Sequence, residues 1–221
     1  MREPTVADVM TRRVITAVPD TPFKELAGAM LAHGVDALPV IDSIGRPIGV
    51  VAETDILTKL EFHGGADPSP LLAGSHCRGR WRKSSALLAA DLMTRPAITT
   101  TPGIPVSAAI HLLARMRIRQ LCVVSCDGNL VGILARRDAL HLFVRDDSFI
   151  EADIERALAT TGRQANRVVV QVADGIATLD GTLTLHSSVQ RAGHATHRVP
   201  GVIAVYNNLR YDIDDLMITG L

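Results

Sequence analysis

Asp8-Val9-Met10-Thr11-Arg12 returns as Asp91-Leu92-Met93-Thr94-Arg95, an offset of 83 (91 minus 8). Without a gap, the same offset carries Ile15-Thr16 onto Ile98-Thr99, Pro19 onto Pro102, Leu38 onto Leu121, Gly45 onto Gly128, Gly49 onto Gly132 and Asp55 onto Asp138. Self-similarity at one fixed spacing marks a duplicated structural unit, so the first two thirds of the chain read as two copies of one small module. In the first copy Phe23, Leu26, Ala27, Met30 and Leu31 stand at the i, i+3, i+4, i+7 and i+8 spacing of a core-facing helix, and Val106, Ala109, Ile110, Leu113 and Ala114 repeat the stripe in the second. Asp20 and Thr21 ahead of Pro22 predict a cap and a first-turn proline for the first of these helices, and Gly34 predicts its stop. The apolar runs 37–41 and 48–52 predict strands joined by a turn at Gly45, and 54–62 predicts a second short helix. Each copy therefore reads strand, helix, strand, strand, helix. That is too little to enclose a core alone, so the copies are expected to pack against each other.

Through the two Asp-x-Met-Thr segments, Leu38-Pro39-Val40 and the two Gly-x-x-x-x-x-Asp segments, the chain resembles a tandem pair of CBS (cystathionine β-synthase) domains, a Bateman module. The resemblance covers residues 1 to about 145, with 1–62 as the first repeat, 63–88 as a linker and 89–145 as the second repeat. The linker assignment rests on composition: Gly64-Gly65, Pro68, Pro70 and Gly74, then the basic run Arg78-Gly79-Arg80-Trp81-Arg82-Lys83, read as a solvated segment with Trp81 tucked against a neighbour.

From Asp146 onward ten acidic residues stand against six basic ones, and a new pattern begins. Ile150, Ile154, Ala157 and Leu158 predict a helix ending at Gly162. Val168, Val170 and Val172 alternate as a strand, Asp174-Gly175 is a hairpin turn, and 176–183 is the return strand. A second helix carries Val189, Ala192, Thr196 and Val199 up to Pro200-Gly201, before one final strand with Ile203, Val205 and Leu209. Over about 148–212 this stretch is similar to a BON domain, through Val170-x-Val172-x-Asp174-Gly175, Leu179-x-Gly181 and Val199-Pro200-Gly201-Val202-x-x-Val205-x-Asn207. The fold class expected is thus α/β: two pseudo-symmetric βαββα repeats forming one module, followed by a small α+β (αββαβ) domain.

Composition narrows the function classes. With 47% hydrophobic and only 3% aromatic residues the chain is a globular one whose cores are built from Val, Leu, Ile, Ala and Met. The 23 basic residues balance the 23 acidic ones, which argues against a chain-wide nucleic-acid footprint. Cys77, Cys122 and Cys126 are an odd count without paired zinc-ligand spacing, and no apolar run approaches a membrane span, so a reducing, cytoplasmic setting is expected. His194-x-x-His197 is the one histidine pair at helical ligand spacing and has no third ligand nearby in sequence, and neither a nucleophile dyad nor a Gly-x-Gly-x-x-Gly loop is present. Neither a metal site nor catalysis is expected.

An adenosine nucleotide asks for a carboxylate at the ribose hydroxyls, backbone amides at the adenine edge, and a helix N-terminus with basic groups for phosphate. In each repeat a strand runs out at the start of a helix and presents an aspartate there. The CBS resemblance implies that Asp55 and Asp138 hold ribose. It places adenine near Thr16, Ala37 and Pro39 in the first copy and near Thr99, Gln120 and Cys122 in the second. Arg136 and Arg137 beside Asp138 suit a polyphosphate, and residues 91–145 hold seven arginines against three acidic residues, while 1–60 hold six basic against eight acidic. The alternative reading of both aspartates is a helix cap or a first-turn charge. Both copies also depart from the family pattern by carrying alanine, Ala52 and Ala135, where Ser or Thr is usual.

The functional expectation is a non-catalytic sensor of AMP, ADP, ATP or S-adenosylmethionine that acts on a regulated protein through the C-terminal domain. The alternatives are a ligand-free interaction scaffold and a membrane-surface tether, since BON domains are associated with phospholipid surfaces. By resemblance to other CBS modules a homodimer is expected, formed through the short helices 54–62 and 138–145.

Overall fold

A computed structural model of the chain describes residues 3–68, 74–160 and 168–216. Pro70 and the helix stop expected at Gly162 lie outside the described residues. The elements are helices α1 (Val6–Val9) and α2 (Phe23–His33), strands β1 (Ala37–Ile41) and β2 (Pro47–Ala52), helix α3 (Glu53–Glu61), a 3-10 turn (His63–Gly65), helices α4 (Ser75–Ser84) and α5 (Ala89–Leu92) and strand β3 (Thr99–Thr100). Then come helix α6 (Val106–Arg115), strands β4 (Gln120–Val124) and β5 (Leu130–Ala135), a 3-10 helix (Arg136–Phe143), helix α7 (Asp147–Ala159), strands β6 (Val168–Ala173) and β7 (Ile176–Leu185), helix α8 (His186–His197), and strands β8 (Ala204–Asn207) and β9 (Arg210–Ile213). Two compact units result: Met10–Ile104 with His111–Ala135, and Met1–Val9 with Pro105–Ile110 and Arg136–Leu221.

In the first unit the duplication is visible in the strand registers. Strands β1 and β2 pair antiparallel with Ala37 opposite Ala52, and β4 and β5 pair with Gln120 opposite Ala135, each with its irregularity at the fourth residue. The leading strand of each copy is reduced, to a single bridge from Ala17 to Val40 in the first and to the two residues of β3 in the second. Leu26 and Met30 of α2 pack with Leu38, Val40 and Val51, each fully buried leucine contributing about 1.5–3 kcal/mol. Leu31, expected in the stripe, is instead 85% exposed. A helix of eleven residues turns only a narrow face to a two-stranded sheet, and Leu31 falls beyond its edge. The cap expected of Asp20 and Thr21 is also not made, because the Thr21 hydroxyl accepts the Val18 N–H (2.9 Å) in the preceding turn and Pro22 takes the cap position with no side-chain bond. Gly34 does end the helix, in the left-handed region at φ 60°.

The repeated Asp-x-Met-Thr motif has a structural use: each copy clamps the second strand of the other. Thr11 and Ile133 exchange both main-chain bonds at 2.9 Å, and Thr94 and Val50 exchange theirs at 2.8 and 3.1 Å. The methionines lie on the motif glycines, so that a Cβ on Gly132 would meet Met10 Sδ at 2.8 Å and the Thr11 carbonyl at 3.1 Å, and one on Gly49 would run into Met93 Sδ. Ala86, Ala89, Leu92 and Met93 complete the core of the first repeat, which is why one copy cannot close alone.

The second unit contains the C-terminal domain. Ile150, Ile154, Ala157 and Leu158 of α7 and Val189 and Ala192 of α8 cover Val170, Ala177, Leu179 and Leu183 on one face of the sheet. The β6–β7 hairpin turns through Asp174 and Gly175, both at positive φ (51° and 74°), with the Asp147 carboxylate accepting both of their N–H groups (2.8 and 2.9 Å). The expected single last strand is two, because β8 pairs with Ile176–Leu179 and β9 with Thr182–Leu185 along the same edge of β7. Asn208 and Leu209 interrupt it, with Asn208 N–H donating to the Leu179 carbonyl (2.9 Å). Asp215 caps α8 from a distance in sequence, accepting the Ser187 N–H (2.9 Å) and hydroxyl (2.6 Å), and these bonds hold its carboxyl below the usual carboxylate range. Among the described residues no helix is long and apolar enough to cross a membrane.

Candidate functional site

The residues expected at the first cleft lie on neighbouring strands and at the helix start that follows them. Thr16 is exposed and precedes Ala17, whose N–H donates to the Pro39 carbonyl (2.9 Å). Ala37 and Pro39 are buried in β1, and Ala37 stands opposite Ala52, the last residue of β2. Ala52 is the N-cap residue of α3, and its N–H donates to Asp55 Oδ2 (2.9 Å). This is one half of a capping box, the half a carboxylate three residues into a helix supplies; the missing half belongs to the hydroxyl that alanine lacks. The capping alternative for Asp55 is thus realised in part of its bonding.

The other carboxylate oxygen is also engaged. Lys83 Nζ, from α4, lies 2.7 Å from Asp55 Oδ1 and 2.9 Å from Thr94 Oγ1, with side chains only 18% and 14% exposed for the lysine and aspartate. Residues 75–84, read from composition as solvated linker, form a helix whose contacts include Arg80 to Glu61, the Trp81 indole N–H to the Asp67 carbonyl (2.8 Å), and Lys83 to Asp55. Lys83 was the residue sequence reading missed, because nothing in a basic run says which of its charges meets a carboxylate 28 positions away.

In the second copy Thr99 of β3 pairs with Cys122 of β4, and Cys122 N–H donates to the Ile98 carbonyl (3.1 Å). The Cys122 thiol is sealed in the core, 1% exposed, and burial pushes its pKa up to about 12, so its side chain offers a ligand nothing. Gln120 begins β4 and carries a buried Nε2 with no hydrogen-bond partner among the described residues. An unmatched buried amide is costly, and here it belongs to a residue expected at the adenine. Arg136 and Arg137, both exposed, follow Ala135 directly, and Asp138 is buried at 7% exposure in the 3-10 helix. Among the described residues no group of three or more His, Cys, Asp or Glu side chains lies together as a metal site.

The CBS domain profile matches residues 6–61 and 89–145, just over half of the chain. The chain belongs to the CBS domain family. A BON domain profile matches residues 146–212, so the CBS pair is followed by a BON domain. The protein MK0525 of Methanopyrus kandleri is 27% identical over 158 residues, 72% of this chain and 70% of that one. An inosine-5'-monophosphate dehydrogenase of Korarchaeum cryptofilum is 30% identical over 131 residues, which is 59% of this chain but 22% of the dehydrogenase, within its CBS portion. Among solved structures, CBSX2 in complex with AMP superposes with a TM-score of 0.54 at 28% identity, covering 62% of this chain and 95% of CBSX2.

Proposed function

We propose that this CBS–BON chain is a non-catalytic regulatory sensor. It binds an adenosine-type ligand (AMP, ADP, ATP or S-adenosylmethionine) at the CBS pair, principally at Asp138, and acts on a partner protein through the BON domain. The observation that carries the reading is Asp138 itself: a carboxylate 7% exposed, next to two exposed arginines, in a pair similar to one crystallised with AMP. Vicinal ribose hydroxyls supply two donors to a carboxylate, and the arginines supply the counter-charge for phosphate. A thermal-shift panel tests it. AMP at 100 times its dissociation constant raises stability by roughly 2.7 kcal/mol, and a panel in which no adenine ligand moves the midpoint refutes the sensor.

The second reading is a ligand-free scaffold, favoured by Ala52 and Ala135, which leave both clefts without the usual hydroxyl. A homodimer in the cytoplasm fits either reading. Leu57 and Leu60 on α3 are 45% and 76% exposed, and Leu140 and Phe143 on the 3-10 helix are 60% and 55% exposed, apolar side chains on each of the two short helices that a second copy would cover. Equilibrium sedimentation tests the dimer, a monomer mass at micromolar concentration contradicting it. For the BON domain, co-sedimentation with anionic vesicles separates a lipid tether from protein docking.

A further inference from the structure

We infer that the first cleft of the CBS pair is latched by the chain's own linker, with Lys83 of α4 holding Asp55 in the place a ribose would take. The inference rests on the reading of Asp55 and Asp138 as the two ribose carboxylates. Both oxygens of Asp55 already have partners, Oδ2 the Ala52 N–H at 2.9 Å and Oδ1 the Lys83 ammonium at 2.7 Å. The first bond is a main-chain contact of the helix start and leaves the charge of the carboxylate uncompensated. The second is different in kind. A full positive charge in contact, with both side chains mostly withdrawn from water, outcompetes a neutral hydroxyl for the same oxygen.

The latch is also tied down on its far side. Lys83 donates a second bond to Thr94 Oγ1 (2.9 Å), and Thr94 belongs to the motif that clamps β2 through Val50. Arg80 to Glu61 and Trp81 to the Asp67 carbonyl hold the rest of α4 against α3 and the turn that follows it. A nucleoside entering the first cleft must therefore displace Lys83, and α4 loses its innermost anchor when it does. Occupancy of this cleft and docking of the linker helix exclude each other. The first cleft thereby takes ligand only when the linker lets go.

The test is isothermal titration of AMP into the full chain and into Lys83→Met, Lys83→Gln and Lys83→Met/Asp138→Ala, each first checked for native secondary structure by circular dichroism. The latch predicts one AMP per parent chain. It predicts a second equivalent in both single variants, or at least tenfold tightening of a weak second event, and one remaining equivalent in the double variant. Single variants that bind with the parent's stoichiometry and affinities overturn the latch while leaving the Asp138 site standing. Weaker AMP binding in the single variants makes Lys83 a phosphate contact and overturns it as well. No AMP binding in any chain overturns the sensor reading, and the latch falls with it.

Discussion

In the first CBS repeat the aspartate at the start of the second helix, Asp55, follows Glu53 and Thr54 and is bonded to Lys83; in the second, Asp138 follows Arg136 and Arg137 and is 7% exposed. The clamps, by contrast, match almost bond for bond, Thr11 with Ile133 and Thr94 with Val50. The helix ends diverge as well, since the left-handed residue closing the first long helix is Gly34 (φ 60°) and its counterpart after α6 is Arg117 (φ 53°). What the two copies share is the reciprocal pairing of Thr11 with Ile133 and Thr94 with Val50, and what differs is the charge beside the two carboxylates.

The clamps should behave alike under mutation. Gly49→Val and Gly132→Val each force a side chain into the opposing methionine and a main-chain carbonyl, and each should cost about 1–3 kcal/mol by chemical denaturation. A variant as stable as the parent breaks the symmetry argument. The clefts should behave differently. Ala52→Thr completes the capping box of α3 and should raise stability by about 0.5–2 kcal/mol with little change in AMP affinity. Ala135→Thr should add a ligand hydrogen bond worth about 0.5–1.5 kcal/mol and tighten AMP several-fold. Equal effects on affinity at both positions would erase the distinction between the clefts.

At the helix ends, Arg117→Gly should stabilise by about 1 kcal/mol, because a side chain in the left-handed region carries a steric cost that glycine avoids. Gly34→Arg should do the reverse, and thermal denaturation of both variants checks the pair. A reference outside the repeats is Asp215, whose carboxyl is held below its ordinary value by Ser187. A lowered folded-state pKa means that its stabilisation is present above the unfolded-state pKa and disappears as pH falls through the folded one. Asp215→Asn should therefore flatten the acid limb of the BON domain's stability slightly while leaving the CBS repeats unaffected, as read by residue-resolved NMR titration.

The duplication, the clamping motif and the strand pairs were legible in the sequence because each rests on short-range patterning that recurs at one offset. Leu31 misled because helical spacing says which residues share a face but not how wide a face the partner sheet covers. The last strand was read as one because alternation in Ile203 and Val205 does not show that β7 is long enough to hold two partners end to end. Asp55 and Asp138 could be placed in the first turn of a helix because each follows the end of a strand. Lys83 could not be placed beside Asp55, since their meeting depends on how α4 folds back on α3.

The central claim is that Asp138 is a ligand-binding carboxylate, and titration of AMP into the parent and Asp138→Ala tests it most directly. The account predicts measurable binding by the parent and a loss of roughly 1.5–3 kcal/mol, about ten- to a hundredfold in affinity, on removing the carboxylate. An Asp138→Ala chain that folds and binds AMP as tightly as the parent contradicts it, and leaves Asp138 as a structural residue in the first turn of its helix.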